Sequence, residues 1–437
     1  IGNANDAIEQ IEATPDSVKA SANYPLSTVV KKKAIASAKF IRALSYHYLV
    51  QTYGKVPLVL KTDDKELPRA SVEDVYKQIV KDLEEARVDL PKTSNNKSQP
   101  SISSTDALLA RVYLSWAQVG ATQDNAKLEK AVEYANNVIE TGEYILIKDF
   151  TQNVGRYYKN GPELLFTFSH EFGQSGRDGG NHQSHCSFTF AFDYTEEYHI
   201  GLSDIELYNR WDDLDQRKEY SYSSHLVHPE TKEVWEFLPP TTLPPFGKGI
   251  DRSYERGLLD SPYERDFDRN EIRYAEVLLI KAEALNELNR TAEAYEPLNQ
   301  IRRRAYAFQS DPAAFDLRGL SQAEFRTALQ KEREHEFIYE SKRWIDLVRW
   351  KKLIQTVKSV QDFADYKEYG GDYQNAPGIL KKSLIHLHAK VKNVGIQHYL
   401  FPIPKTALES NPNLTQNYGY DGYGHTVEAS LDPDIYK

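Results

Sequence analysis

Apolar residues recur at helical spacing through the first third of the chain. In residues 33–53 (KAIASAKFIRALSYHYLVQTY), Ile35, Ala38, Ile41, Ala43, Leu44, Tyr48 and Leu49 form one broad stripe. That is the pattern of a helix with one buried face. Gly54 and Pro57 predict its end, because glycine accepts the left-handed cap conformation and proline cannot continue a helix. Ser71 stands before Val72-Glu73-Asp74, a side-chain acceptor placed to cap a second helix. Its stripe is Val72, Val75, Tyr76, Ile79, Leu83 and Ala86, and Pro91 ends it. Residues 92–103 read as a polar linker. A third helix is predicted from Thr105 to about Val119, and a fourth from about Asn125 to Thr141, stopped by Gly142.

Between residues 143 and 268 the periodicity is lost. This stretch is rich in Gly, Pro, Tyr, His and Ser, with short strands predicted at Leu164–Ser169 and Ser187–Phe192. SGRDGGNHQSH reads as a flexible loop, and FLPPTTLPPFGKG as an extended, polyproline-like path. Long irregular segments inside a compact chain usually carry function. Helical spacing returns in residues 271–289 and about 291–306, a hairpin joined near Asn289-Arg290, with a kink expected at Pro297. A further pair is expected over residues 321–354 (SQAEFRTALQKEREHEFIYES and KRWIDLVRWKKL). The tail, with Pro402, Pro404 and Pro412, reads as coil wrapping the body. The predicted fold class is mainly α. Tetratricopeptide-like helix pairs form a scaffold, and a large irregular loop-rich insertion contains a few short strands. Residues 1–142 are the N-terminal helical scaffold, 143–268 the insertion, and 269–437 the C-terminal hairpins and tail, all within one domain.

Composition narrows the function. The 437 residues carry 54 Lys+Arg against 64 Asp+Glu, a net charge of −10. This excludes nonspecific nucleic-acid binding and polybasic docking on anionic lipid, both of which need a basic face. The single cysteine, Cys186, excludes a disulfide framework and any all-cysteine metal site. No apolar run approaches the ~20 residues of a membrane span. The chain opens at Ile1 without methionine, and a processed form is expected. Against a mean hydropathy of −0.63 there are 29 Tyr, 17 Phe and 5 Trp. Most are expected in the core, but those in irregular segments suit a binding surface.

Catalytic and metal motifs are weak. Glu332-x-x-His335 and Glu196-x-x-His199 have di-iron spacing, but that site needs four bundle helices and two further glutamates. His182-x-x-His185-Cys186 lacks a fourth zinc ligand. Asp212, Asp213 and Asp215 lack the glycine turn and bidentate glutamate of a calcium loop. There is no G-x-S-x-G, P-loop or H-E-x-x-H. No catalytic residue, metal or cofactor is expected. In RWIDLVRW, Trp344, Ile345, Leu347 and Val348 are expected in the core, and Arg343, Asp346 and Arg349 stand three apart on one face, where they can pair. Glu332, Glu336 and Arg343 are expected in buried or interface ion pairs, and Asn411-Pro412-Asn413 in a turn.

Five segments, in order, resemble the SusD/RagB family: KFIRALSYHYLVQTYGKVPLVL, ELPRASVEDVYKQIVKDLEEA, RYAEVLLIKAEALNEL, EREHEFIYESKRWIDLVRW and FPIPKTALESNPNLTQNYGY. They span about residues 33 to 420. Ser341 stands where members often have glycine, and Tyr418 where they often have proline. The resemblance implies a lipoprotein on the cell surface of the outer membrane in Bacteroidota, with its anchor upstream of Ile1. Such proteins sit as a lid on a SusC-like TonB-dependent transporter and pass it captured oligosaccharide or, in some members, peptide. No nucleic-acid partner and no enzymatic activity are implied. Sugars present flat C–H faces to aromatic rings and hydroxyls to polar side chains. By that chemistry Trp235, Tyr254, Tyr263, Phe246, Tyr157 and His182 are the expected ligand contacts, with Tyr158 and Phe172 beside them. Trp235 leads, outside any predicted helix and near the proline-rich path. Arg69 and Lys61 join them from the loop after Tyr53, where family members often add contacts, whereas Trp211 is expected in the core. Three alternatives remain open: a peptide-binding member, a tetratricopeptide-type scaffold binding only protein, and a glycan hydrolase.

Overall fold

Serine and aspartate side chains cap the four long helices between residues 28 and 140. The computed structural model describes residues 1–15, 19–21, 24–25, 27–120, 122–153, 158–170, 205–222, 225–227, 234–236, 248, 268–359 and 393–431. The chain divides into two units, one of Ile1–Gly142, Val348–Lys351 and Gly395–Lys437, the other of Glu143–Leu347 and Lys352–Val394.

In the first unit, α1 (Gly2–Ala13) and a two-stranded antiparallel ribbon of β1 (Lys19–Ser21) and β2 (Tyr24–Pro25) precede the first predicted stripe. The stripe itself is α2 (Thr28–Tyr53), which starts earlier than its apolar pattern because Ser27 accepts a hydrogen bond from the Val30 amide. It ends at Gly54, whose φ of +69° is the left-handed conformation that favours glycine. α3 (Val72–Asp89) is capped by Ser71, as its sequence predicts. α4 (Ile102–Ala117) begins inside the predicted linker, where Ser101 and Ser104 form a reciprocal capping box. α5 (Asn125–Glu140) follows Asp124. α2 pairs with α3, and α4 with α5, with α1 on α2. Phe40, Tyr46, Ile79, Leu83, Leu108 and Leu128 are buried within this unit. The Arg42 guanidinium grips Asp82 of α3 through two bonds of 2.7 and 2.8 Å, and donates to Asn5 of α1 at 3.0 Å. One buried cation thus ties three helices. The tail belongs to this unit: Ile403, Leu408 and Leu414 pack with Tyr53, and the Phe401 amide donates to Thr52 O at 2.8 Å.

The second unit holds a two-stranded antiparallel sheet of β3 (Leu164–Phe168) and β6 (Arg269–Arg273), paired from Leu164↔Arg273 to Phe168↔Arg269 with an irregularity at Phe166↔Ile272. Between them in sequence lie α6 (Ile205–Arg210), α7 (Gln216–Ser221), and the ribbon of β4 (His225–Val227) and β5 (Val234–Glu236). Residues 271–273 were expected to be helical. They are strand, because their partner β3 needs them, and the helix starts one residue later as α8 (Tyr274–Glu287). α8 is buried on nearly every side and packs against α9 (Thr291–Ala305) and α10 (Gln322–Glu336). α9 continues through the buried Pro297. α10 opens on a Ser321–Glu324 capping box and stops at Glu336, short of the predicted Ser341. Beyond it Tyr339 and Ser341 take positive φ, 61° and 59°, which no helix accommodates.

The second predicted helix of this region breaks in two, α11 (Arg343–Arg349) and α12 (Leu353–Ser359), at Lys351 with φ 58°. Leu347 and Val348 are buried as expected, but Trp344 and Ile345 are only half-buried. The charged residues of α11 also find partners beyond their own helix. Asp346 accepts two bonds from Arg333 of α10 at 2.9 and 3.0 Å, Arg343 pairs with Glu334, and Arg349 donates to Gln118. Two aligned donors on one carboxylate make the Arg333–Asp346 pair a directional tie between the helices. The predicted strand Ser187–Phe192 lies outside the described residues.

Ser341 carries the left-handed strain of a position where glycine costs nothing. Ser341→Gly is therefore expected to stabilise the protein by about 0.5–1 kcal/mol, after the added freedom of the unfolded glycine is subtracted. Urea denaturation of the two proteins measures the difference.

Candidate functional site

Glu332 and Glu336 stand four apart on α10, and Glu340 follows after the helix ends. Buried carboxylates on one helical face demand cations. Arg217 of α7 supplies the first, with Nη1 3.0 Å from Glu336 and Nη2 2.7 Å from both Glu332 and Asp215. Arg273, at the end of β6, reaches Glu163 at 2.6 Å, Glu336 at 3.0 Å and Glu340 at 2.6 Å. Arg304, at the end of α9, joins Glu163 at 3.2 Å and Glu336 at 2.5 Å. Arg302 pairs with Glu332 at 3.0 Å. Lys248, from the stretch after β5, places its ammonium 2.5 Å from Glu340 and donates to the Glu336 carbonyl at 2.7 Å. The ring of Phe150 lies under the Arg304 guanidinium at 4.6 Å and the Lys248 ammonium at 4.8 Å.

Five carboxylates therefore face four arginines and one lysine. Burial alone would raise the Glu336 carboxyl, but the charges of Arg304, Arg273, Arg217 and Lys248 outweigh it and hold it below the ordinary range. Glu340 is held down in the same way by Arg273 and Lys248. Burial pushes the Lys248 ammonium down to about 8, against the pull of Glu340. Apart from Arg302, 20% exposed, its side chains are at most 9% exposed, and its chemistry is that of a clamp.

The clamp takes Asp215, Arg217 and Lys248 from the insertion, and β3 and β6 flank it in sequence. Phe168 and Arg269 are register partners, so residues 171–267 leave and return about one strand spacing apart. A collar of side chains lines this junction. Buried Asp268 accepts from the His170 amide at 3.2 Å and from Thr167 Oγ1 at 3.4 Å, and lies 3.4 Å from Lys159 Nζ. Lys159 also donates to the His170 carbonyl at 2.5 Å. The Arg269 guanidinium, 48% exposed in its side chain, lies 4.6 Å over the Phe168 ring. Burial lowers the His170 imidazole below its ordinary value, which favours the neutral ring. The Arg269 guanidinium is the exposed group of this junction, and it also lies 3.5 Å from Glu271.

Trp235 lies in β5 opposite Leu226. Tyr157, His182, Phe246, Tyr254 and Tyr263, with Phe172, His185, Cys186, Glu196 and His199, lie outside the described residues. Tyr158 is half-buried in a turn, and Lys61 is exposed. Arg69 corrects its expectation as a ligand contact. Its side chain is 4% exposed and donates to Lys55 O, Tyr53 O, Thr415 Oγ1 and Asn417 Oδ1 at 2.6–3.1 Å. It ties the loop after α2 to the tail.

Trp211 is in the core, as expected. It is 2% exposed, stacked 4.2 Å from His335 and donating to Asp215. Five candidate ligands of the cation and di-iron readings are thus engaged elsewhere. Asp212 accepts from Tyr306, Asp213 pairs with Lys218, and Asp215 belongs to the clamp. Glu332 faces Arg217 and Arg302 while His335 stacks on Trp211. Sequence reasoning found Glu332 and Glu336 but missed Glu163, Arg217, Arg273, Arg304 and Lys248. The signal was the run Arg302-Arg303-Arg304 opposite three glutamates spaced by four.

Glu336→Gln removes the carboxylate that three arginines share, and is expected to cost about 3–5 kcal/mol in chemical denaturation. The pH dependence has a definite sign. Glu336 and Glu340 bind protons less readily folded than unfolded, so their contribution is full above the unfolded value of 4.5 and is lost as pH falls below it. Stability measured from pH 7 downward should stay level to about pH 5 and then drop, with a shallower drop in Glu336→Gln.

Comparison with known proteins gives a consistent picture. Residues 240–420 match the family model described as SusD family, and residues 1–114 match one described as starch-binding associating with outer membrane. SusD-like protein P2 of Formosa agariphila is 30% identical over 372 residues, covering 80% of this chain and 70% of that protein. A SusD homologue from Bacteroides thetaiotaomicron superposes with a TM-score of 0.74 at 24% identity, over 95% of this chain and 83% of that one. Surface glycan-binding protein A from Bacteroides fluxus superposes with a TM-score of 0.68 at 20% identity, over 96% and 83%.

Proposed function

The chain belongs to the SusD family, and on that premise we propose that it is a non-enzymatic nutrient-binding lipoprotein of the outer-membrane surface. It captures oligosaccharide and delivers it to a SusC-like TonB-dependent transporter. The observation that carries this reading is the insertion between β3 and β6. It concentrates aromatic and polar residues in a span whose flanking strands pair with each other and whose Asp215, Arg217 and Lys248 enter the buried charge cluster. The matched family description and the glycan-binding neighbour support a carbohydrate ligand. No described helix is long and apolar enough to cross a membrane, and a lipid anchor upstream accounts for surface attachment in this reading. Trp235, Tyr254, Tyr263, Phe246, Tyr157 and His182 are the proposed contacts, with ring stacking on sugar C–H faces as the common interaction.

Calorimetry of the full chain against soluble α-glucans, xylogluco-oligosaccharides, mannans, fructans, host-type glycans and mixed peptides tests the proposal. One glycan class is expected to bind, with no reducing sugar released. Trp235→Ala should weaken that binding about tenfold, the ~1.4 kcal/mol of a lost stacking contact, while leaving the melting midpoint in place. Binding of peptides alone, or release of sugar, would overturn the glycan-carrier reading, and unchanged affinity would remove Trp235 from the site.

A further inference from the structure

Gln216 joins three segments of the second unit. Its side chain accepts from the Phe150 amide at 3.0 Å and donates to the carbonyls of Lys148 at 2.9 Å and Arg304 at 2.5 Å. The same segments carry the large apolar side chains that this unit leaves exposed among its described residues: Ile145 at 58%, Leu214 at 50% and Phe308 at 61%. Leu214 and Phe308 meet through Gln309, whose side-chain amide donates to the Leu214 carbonyl at 3.5 Å. The Lys148 ammonium lies 5.5 Å from the centre of the Phe308 ring. Exposed apolar residues are ordinary when scattered singly, but here they gather where three segments are tied. The backbone beneath them is fixed. Beyond α9 the Ala307 amide donates to Arg304 O at 3.1 Å, and the Gln309 amide to Tyr306 O at 2.9 Å. Tyr306 is buried, stacked 3.7 Å from Phe315 and donating to Asp212 at 3.0 Å. Asp212 also accepts from the Leu214 amide at 3.0 Å, and the next residue, Asp215, is locked in the clamp. Phe308 and Leu214 are therefore presented by prearranged turns, and a ligand need not order them.

The chemistry around the patch selects its occupant. Lys148 supplies an exposed cation, Asp212 and Asp213 supply exposed carboxylates, and Gln309 supplies an amide. A charged ligand of either sign meets a like charge here. A purely apolar protein surface would desolvate these groups without pairing them. Sugar hydroxyls both donate and accept, so they suit the mixture, and the flat C–H face of a pyranose suits an open aromatic ring. We infer that Phe308, Leu214 and Lys148 form a second contact site for uncharged oligosaccharide, built entirely from residues other than the contacts proposed above. Phe308 is the stacking platform, Leu214 extends its apolar face, and Lys148 and Gln309 take hydroxyl groups. The inference rests on the carbohydrate-carrier reading and adds a site to it.

The test uses the full chain in native gels cast with soluble α-glucan, xyloglucan, mannan or fructan, and hydrogen exchange with and without the same polymers. A polymer that retards the parent should slow exchange over residues 304–310 at least twofold. Phe308→Ala should lose that slowing and about threefold or more of the apparent affinity, with the melting midpoint unchanged because the ring is mostly outside the core. Phe308→Trp, which offers a larger stacking face, should keep both. Lys148→Ala should weaken retardation in the same polymer. Retardation that Phe308→Ala leaves unchanged, or that slows no exchange over 304–310, overturns the inference alone and favours a protein occupant of the patch. A parent that binds none of the four polymers overturns the inference together with the carbohydrate reading.

Discussion

Charge neutrality in a buried space is the constraint on which the second unit depends. Glu336 is fully enclosed and touches Arg217, Arg273 and Arg304, residues of α7, the β6 end and the α9 end. Each of those arginines has a second carboxylate of its own. No member can leave without exposing the others to uncompensated burial. Hydrophobic contacts tolerate small slips, but bidentate ion pairs do not, because their strength depends on direction as well as distance. The network therefore does for irregular backbone what a hydrogen-bonded ladder does for a sheet, and gives it one position.

The first unit solves the same problem with fewer charges. Its helices are regular and pair along long apolar stripes, so shape complementarity carries most of the order. Arg42 with Asp82 and Asn5, and Arg69 with the tail, fix only the places where stripes do not reach. The contrast follows from periodicity. A repeating stripe buries itself against another stripe, whereas a segment without period must be held by discrete contacts.

This division suits a carrier. A ligand that differs between relatives calls for loops that can change, and loops change safely when the parts that hold them do not. The acidic face of α10 belongs to the signature EREHEFIYESKRWIDLVRW, and among its partners Arg217 and Lys248 come from the insertion and Arg273 from the strand that follows it.

Much of the helical fold was legible in advance. Stripes, serine caps and glycine stops located α2 to α5, α9 and the start of α10, because helix formation answers to local spacing and to end-group hydrogen bonds. The family signatures were legible for the same reason, as contiguous strings. What the string could not contain was partner choice. That residues 269–273 form a strand depends on β3, a hundred residues earlier. That Asp346 meets Arg333 depends on which guanidinium arrives with two aligned donors. Arg69 had the exposure of a loop residue on paper and an interior one in space, because the tail brings Thr415 and Asn417 to it. Composition and periodicity determined the class and the helices, and the contiguous signatures pointed to the family. Only the tertiary structure decided which charges meet, since electrostatic pairing acts through distance in space, and distance along the chain does not predict it.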